Sequence, residues 1–261
     1  MGNDLSYIYK RHGLNDIERE NADYLFTNAL KRINDNDLSK PFKIIGYGRF
    51  NIVICTDGLY YRIAYHARSD EAIERMRYKY DIIKSNDYGF VLPLRAEITQ
   101  DYVYYHIRMV NERPGKITYE ELRDLFSKLM RLGENGLAWI DYHKRNIRRL
   151  NGKLVIIDFD CWDKQDVSNY IDIVLKAYNV PHDPAIVRSK LLNDTNNSWR
   201  LMKSRELAAL FSVVHGYEDP GRFMRLTFNA ILYRKKHCGI NRKILTKEMY
   251  DFMIHRPFSL L

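Results

Sequence analysis

Asp141, His143, Asn146 and Asp158 stand within the run Ile140–Asp160, which reads IDYHKRNIRRLNGKLVIIDFD. Carboxylates and a side-chain amide supply hard oxygen donors. A divalent cation such as Mg²⁺ takes such donors and commonly completes its shell with substrate phosphates. A positioned carboxylate also serves as a general base toward a hydroxyl. The sequence between these residues indicates how they are held. Asn151-Gly152 separates two apolar-rich runs, Asn146–Leu150 and Lys153–Ile157. Both members of an Asn-Gly pair accept positive φ, which a two-residue hairpin turn requires. The pattern therefore predicts a hairpin with Asn146 and Asp158 facing one another at its open end, and Asp141 on the loop before it.

This arrangement resembles the catalytic core of the protein-kinase-like superfamily. There an Asp ahead of an Asn is the base, the Asn holds a metal, and a second Asp beyond a hairpin holds metal too. The resemblance implies ATP as phosphate donor, Asp141 as base, and Asn146 and Asp158 as Mg²⁺ ligands. Trp139-Ile140-Asp141 stands where the family has His-Arg-Asp, and Asp158-Phe159-Asp160 where it has Asp-Phe-Gly. The D-x-H-x-x-N form, which adds His143 to the catalytic set, is similar to that of aminoglycoside and choline kinases. It is similar also to small atypical kinases, such as the host-takeover Ser/Thr kinases of tailed phages and compact bacterial effector kinases.

Upstream, Phe42 to Ala64 reads as strand, turn, strand, turn, strand. The first turn, Gly46-Tyr47-Gly48-Arg49-Phe50-Asn51, resembles the kinase glycine-rich loop in the form G-x-G-x-F-x-x-V ending at Val53. Glycines let backbone N–H groups approach phosphates closely. Phe50 would fold over the phosphates, and Arg49 would add a positive charge. A glycine turn between two strands, rather than between strand and helix, argues against dinucleotide binding of the Rossmann type. In the third strand, Leu59–Ala64, Arg62 takes the place of the family's phosphate-contacting Lys. A helix capped by Ser69 follows to about Ile83, and Glu74 is the expected partner of Arg62, with Glu71 second. Tyr88–Leu94 and Tyr102–Met109 are expected to complete a five-stranded sheet. Asn111–Gly115 reads as a hinge, and backbone from Met109 to Asn111 would hold an adenine edge, as the resemblance implies.

The remaining segments read as positioning elements. In residues 1–40, Ala22, Leu25, Phe26, Ala29, Leu30 and Ile33 follow helical spacing, with Asn15 or Asp16 as cap. Thr118 and Glu121 form a capping box. Leu122, Leu125, Phe126, Leu129 and Leu132 then make a buried helix face, and Gly133 is the expected stop. After Asp158 no long activation segment appears. Helices follow at Tyr170–Tyr178, at about Asp183–Leu192 with Asp183 as cap and Pro184 first, and at Ser204–Val214, Pro220–Tyr233 and Thr246–Ile254. The expectation is an α+β protein of two-lobed, kinase-like fold. It comprises an N-terminal helical extension (1–40), a small β-rich nucleotide-binding lobe (41–110) and a helical catalytic lobe (111–261).

Composition narrows the class further. A hydrophobic content of 46% fits a globular protein, and the net charge of +9 favours anionic partners. No apolar run reaches the ~18–20 residues of a membrane span. The N-terminus lacks the apolar core of a signal peptide. Cys55, Cys161 and Cys238 are scattered, which fits a reduced setting and predicts a cytoplasmic location, the host cytoplasm for a viral or effector protein. Basic runs occur at Lys144, Arg145, Arg148 and Arg149, and at Arg234, Lys235, Lys236, Arg242 and Lys243. The first is placed to draw an acidic substrate toward the catalytic loop. Aromatics are not interleaved with these charges as in single-strand platforms, which argues against direct nucleic-acid binding. The kinase-like resemblance implies three function classes: a protein kinase, a small-molecule phosphotransferase, and a pseudokinase acting as a binding or inhibitory module.

Overall fold

A computed structural model describes residues 5–48, 51–65, 69–193 and 202–237, with backbone alone for Lys144, Leu192, Asn193 and 234–237. The architecture is α+β, and the chain divides into two compact units, Met1–Asp81 with Val91–Val110, and Ile82–Phe90 with Asn111–Leu261. Among the described residues no helix is long and apolar enough to cross a membrane.

The first unit is built on an antiparallel sheet. Its strands are β1 (Lys43–Tyr47), β2 (Asn51–Thr56), β3 (Leu59–Ala64), β4 (Arg95–Ile98) and β5 (Val103–Ile107), in the order β1-β2-β3-β5-β4. Asp57 and Gly58, at φ 50° and 76°, make the tight turn from β2 to β3. Two helices precede the sheet, α1 (Ser6–His12) and α2 (Asp16–Ile33). Asn15 caps α2: its side chain accepts from Glu18 N at 3.0 Å and Glu18 returns a bond to Asn15 N. The apolar stripe of α2 packs Ala22, Phe26, Ala29 and Leu30 with Ile52, Ile54, Ile63 and Tyr104 of the sheet. Residues 5–33 thus share one hydrophobic core with the strands. Their burial is the main stabilising term for both layers.

Two sequence expectations are corrected here. Tyr88–Leu94 forms no sheet strand; the fourth strand is Arg95–Ile98. Gly89 sits at φ 85°, and its carbonyl accepts from Ile156 N at 2.9 Å. Pro93 offers no N–H to a ladder. Gly133 does not stop the helix α4 (Tyr119–Glu134), which ends at Asn135 with Gly136 at φ 74° beyond it.

The second unit carries the hairpin of β6 (Ile147–Leu150) and β7 (Lys153–Ile156), with α4, α5 (Lys164–Ala177), α6 (Pro184–Asn193), α7 (Ser204–His215) and α8 (Pro220–His237). The Thr118–Glu121 capping box opens α4, and its apolar side buries Leu125, Phe126, Leu129 and Leu132. Asp183 caps α6 through Ala185 N at 2.8 Å, with Pro184 first. The segment Thr246–Ile254, with Arg242, Lys243 and Cys238, lies outside the described residues, as do the side chains of Arg234, Lys235 and Lys236.

Candidate active site

The Asn151-Gly152 turn forms as its residue types require, with φ 52° and 77°. Leu150 pairs with Lys153 and Ile147 with Ile156. One step further Ile157 N donates to Asn146 O at 3.0 Å. Asn146 therefore faces Ile157, and Asp158 follows by one residue, one place further along than direct opposition.

Asn146 is buried and closes a short 3-10 turn, Lys144–Asn146. Its Nδ2 donates to Asp141 Oδ2 at 2.6 Å. His143 makes this return possible. Its own N–H donates to Asp141 O at 2.6 Å, and its carbonyl accepts from Asn146 N at 2.8 Å. Its Nδ1 accepts from Arg145 N at 3.2 Å, which places the proton of the neutral ring on Nε2. The exposed imidazole thus caps the turn that carries Asn146 back to Asp141.

Trp139 is fully buried, and its Nε1 donates to the carbonyl of Asp158 at 2.7 Å. Ala138 and Trp162 exchange two backbone bonds, both 2.7 Å. The chain leaving Asp158 is thereby stitched to the chain approaching Asp141, and it enters α5 at Lys164 with Asp163 as cap. Tyr142, between these ties, has a buried hydroxyl with no hydrogen-bond partner among the described residues; burial, then Cys161, pushes its pKa well above the usual phenol range.

The basic run of this region is not uniformly a solvated face. Arg149 N donates to Glu112 O at 2.9 Å. The guanidinium of Arg149 donates to Pro114 O at 3.1 Å, to Gly152 O at 3.1 Å and to Lys116 O at 3.5 Å. It also pairs with Glu121 at 2.5 Å. This residue clasps segment 112–116 and the start of α4 to the hairpin turn.

In the first unit, Gly48 N donates to Asn51 O at 2.8 Å, and Tyr47 pairs with Ile52. Arg49 and Phe50 lie outside the described residues. Val53 pairs with Arg62, which pairs on its other side with Tyr105, so the half-buried Arg62 stands in the middle of the sheet. Glu74 lies exposed on α3 (Asp70–Ser85) and forms no ion pair among the described residues. Met109 and Asn111 flank the buried Val110 in the irregular run after β5.

The structure therefore brings together Asp141, His143 and Asn146, and ties Asp158 to the same loop through Trp139. It does not pair Glu74 with Arg62. Sequence reasoning passed over the roles of Trp139, Arg149 and Tyr65, whose hydroxyl donates to Gly48 O at 2.9 Å. Each acts across a long sequence separation on a backbone carbonyl, which local pattern does not encode. Among the described residues no three His, Cys, Asp or Glu side chains gather as a metal cluster. No protein-family profile matches the chain, and no curated protein matches it significantly.

Proposed function

We propose that the protein is a Mg²⁺-dependent phosphotransferase that moves the γ-phosphate of ATP to a hydroxyl, with a protein side chain as acceptor. One observation carries the reading: the Asn146–Asp141 hydrogen bond at the open end of a hairpin whose other strand runs into Asp158. Asn146 spends Nδ2 on Asp141, so Oδ1 is its atom for a cation, and the Asp158 carboxylate is a second hard oxygen donor. This donor set fits Mg²⁺, which when bound neutralises charge on the phosphates. Asp141 uses Oδ2 to hold Asn146 and has Oδ1 to orient a hydroxyl and accept its proton. The short path from Asp158 to α5 leaves no segment to be switched by phosphorylation.

A second reading, a binding module without catalysis, is favoured by Arg62 standing where the resembled family has Lys, since a planar guanidinium does not reproduce an ammonium point charge on phosphates. Phosphate incorporation from labelled ATP into a lysate separates the two. Asp141→Asn is expected to reduce incorporation by about 10²–10⁴-fold while leaving Mg-ATP affinity nearly unchanged. Equal incorporation by wild type and Asp141→Asn sinks the enzymatic reading. Loss of phosphoryl transfer to protein, with transfer to a small alcohol retained, redirects the acceptor class.

A further inference from the structure

The functional reading leaves α1 without a role, yet α1 is firmly seated. Leu5, Ile8, Tyr9 and Leu14 are buried, and the Tyr9 hydroxyl donates to Asp23 at 2.6 Å. On its other side, α1 meets Tyr47, which stands between Gly46 and Gly48. Arg11 Nη1 donates to the Tyr47 hydroxyl at 2.9 Å, and the guanidinium carbon lies 5.7 Å from the ring centroid. Tyr7 and His12 meet the same ring edge-on, at 5.6 Å and 6.2 Å between centroids. Tyr7 and Arg11 are four apart on the helix and so share a face. The buried side of α1 reaches the same turn by another route: the Tyr9 ring packs on Tyr65 at 6.0 Å, and Tyr65 holds the carbonyl of Gly48.

The glycines of this turn are not there to relieve crowding. Among the described residues, a Cβ at Gly46 would meet nothing within 4 Å, and one at Gly48 only Asn51 O at 4.0 Å. Neither takes a positive φ, and ordering glycine costs more conformational entropy than ordering any other residue. Holding such a turn in one conformation takes contacts from outside it, and Tyr47 is the only side chain between the glycines.

We propose that α1 braces the glycine turn, with Arg11 the positioning residue that fixes Tyr47 and so sets the affinity of the protein for nucleotide phosphates. The inference rests on the turn being the phosphate-binding loop. The Arg11–Tyr47 bond is exposed, so its effect on binding comes through preorganisation rather than through a large bond energy.

Arg11→Ala, Tyr47→Phe, the double variant and Arg11→Lys test this by Mg-ATP calorimetry and by hydrogen exchange at the Gly48 and Ile52 amides. Each single variant is expected to bind Mg-ATP about fivefold more weakly, ~1 kcal/mol. The double variant is expected to be no worse than either single, because both remove one interaction. Arg11→Lys, which keeps the charge and a donor, is expected to recover most of the affinity. Exchange at Gly48 should quicken in Arg11→Ala. Unchanged affinity and exchange in Arg11→Ala, or additive losses in the double variant, overturn the brace. If wild type binds no Mg-ATP, the nucleotide reading falls, and exchange alone then decides: faster exchange at Gly48 supports the brace and unchanged exchange overturns it.

Discussion

Asn146 and Asp141 are joined side chain to side chain, Nδ2 to Oδ2 at 2.6 Å, with Asn146 buried. The contact makes the two residues a unit, and substitution should reveal it. Asn146→Ala leaves Asp141 without this donor and is expected to cost about 1–3 kcal/mol of stability. Asn146→Asp replaces attraction by repulsion between carboxylates, raising the folded pKa of the pair. A raised folded pKa means that stability is retained at low pH and lost as pH rises through it. The destabilisation of Asn146→Asp relative to wild type should therefore be largest at neutral pH and shrink below about pH 4. Urea unfolding at both pH values measures it, and an equal loss at both would show that the two carboxylates do not interact.

The Trp139 indole gives a second prediction. Its N–H is buried and bonded to Asp158 O at 2.7 Å, while the ring meets Tyr142 edge-on at 5.0 Å. Trp139→Phe keeps an aromatic ring but removes the donor and some volume. The expected cost is about 2–4 kcal/mol, from an unmet buried carbonyl plus a partial cavity. Because that carbonyl belongs to the proposed metal ligand, the Mg²⁺ concentration for half-maximal turnover should also rise. A stability loss with an unaltered Mg²⁺ dependence would make Trp139 a packing residue only.

Much of the fold was legible because its signals are local. The Asn15 cap, the Thr118–Glu121 box, Pro184 after Asp183 and the Asn151-Gly152 turn each need only neighbouring residues, and each formed as read. The helix α1 was passed over because its seven residues carry too few apolar positions for a periodicity to register. Tyr88–Leu94 reads as a strand because its side chains are β-prone, whereas Gly89 and Phe90 pair with Ile156 of the hairpin, within the second unit, and not with the sheet of the first. At the candidate site the spacing Asp141–His143–Asn146 was readable as chemistry. That His143 serves as a turn cap was not, since the same spacing suits a ligand.

Gly133 offers a test of the corrected helix end. A Cβ there would lie 2.7 Å from Gly221 Cα of α8, and Gly221 in turn approaches Gly133 O. Alanine in a helix interior gains about 1 kcal/mol over glycine by propensity. Here the obstacle is backbone, which yields only if two helices part, and such overpacking costs about 1–3 kcal/mol. Gly133→Ala is expected to be net destabilising in thermal unfolding, whereas a helix-terminating glycine would tolerate or benefit from the change.

The ion pair of Glu121 with Arg149 supplies a pH-dependent prediction. The backbone N–H of Thr118 and then the Arg149 guanidinium hold the Glu121 carboxyl below its ordinary value of 4.5. A depressed folded pKa means that the folded state binds fewer protons, so this contribution is full above the ordinary value and disappears as pH falls through the folded one. The wild-type curve alone does not isolate it. Asp87 is also held low, chiefly by Lys128, and Glu97 by bonds from Arg32 and two tyrosines that outweigh its burial. The difference between wild type and Glu121→Gln cancels those shared contributions. Glutamine still offers an oxygen to Thr118 N but no charge to Arg149. The variant should be less stable by about 1 kcal/mol at neutral pH and nearly equal to wild type at about pH 3. Arg149→Lys should cost more, about 1–3 kcal/mol at both pH values, because one ammonium cannot serve the carbonyls of Pro114, Lys116 and Gly152 together. A wild type minus Glu121→Gln difference that stays flat with pH would show that the ion pair adds nothing to the clasp, leaving the carbonyl bonds of Arg149 to hold it alone.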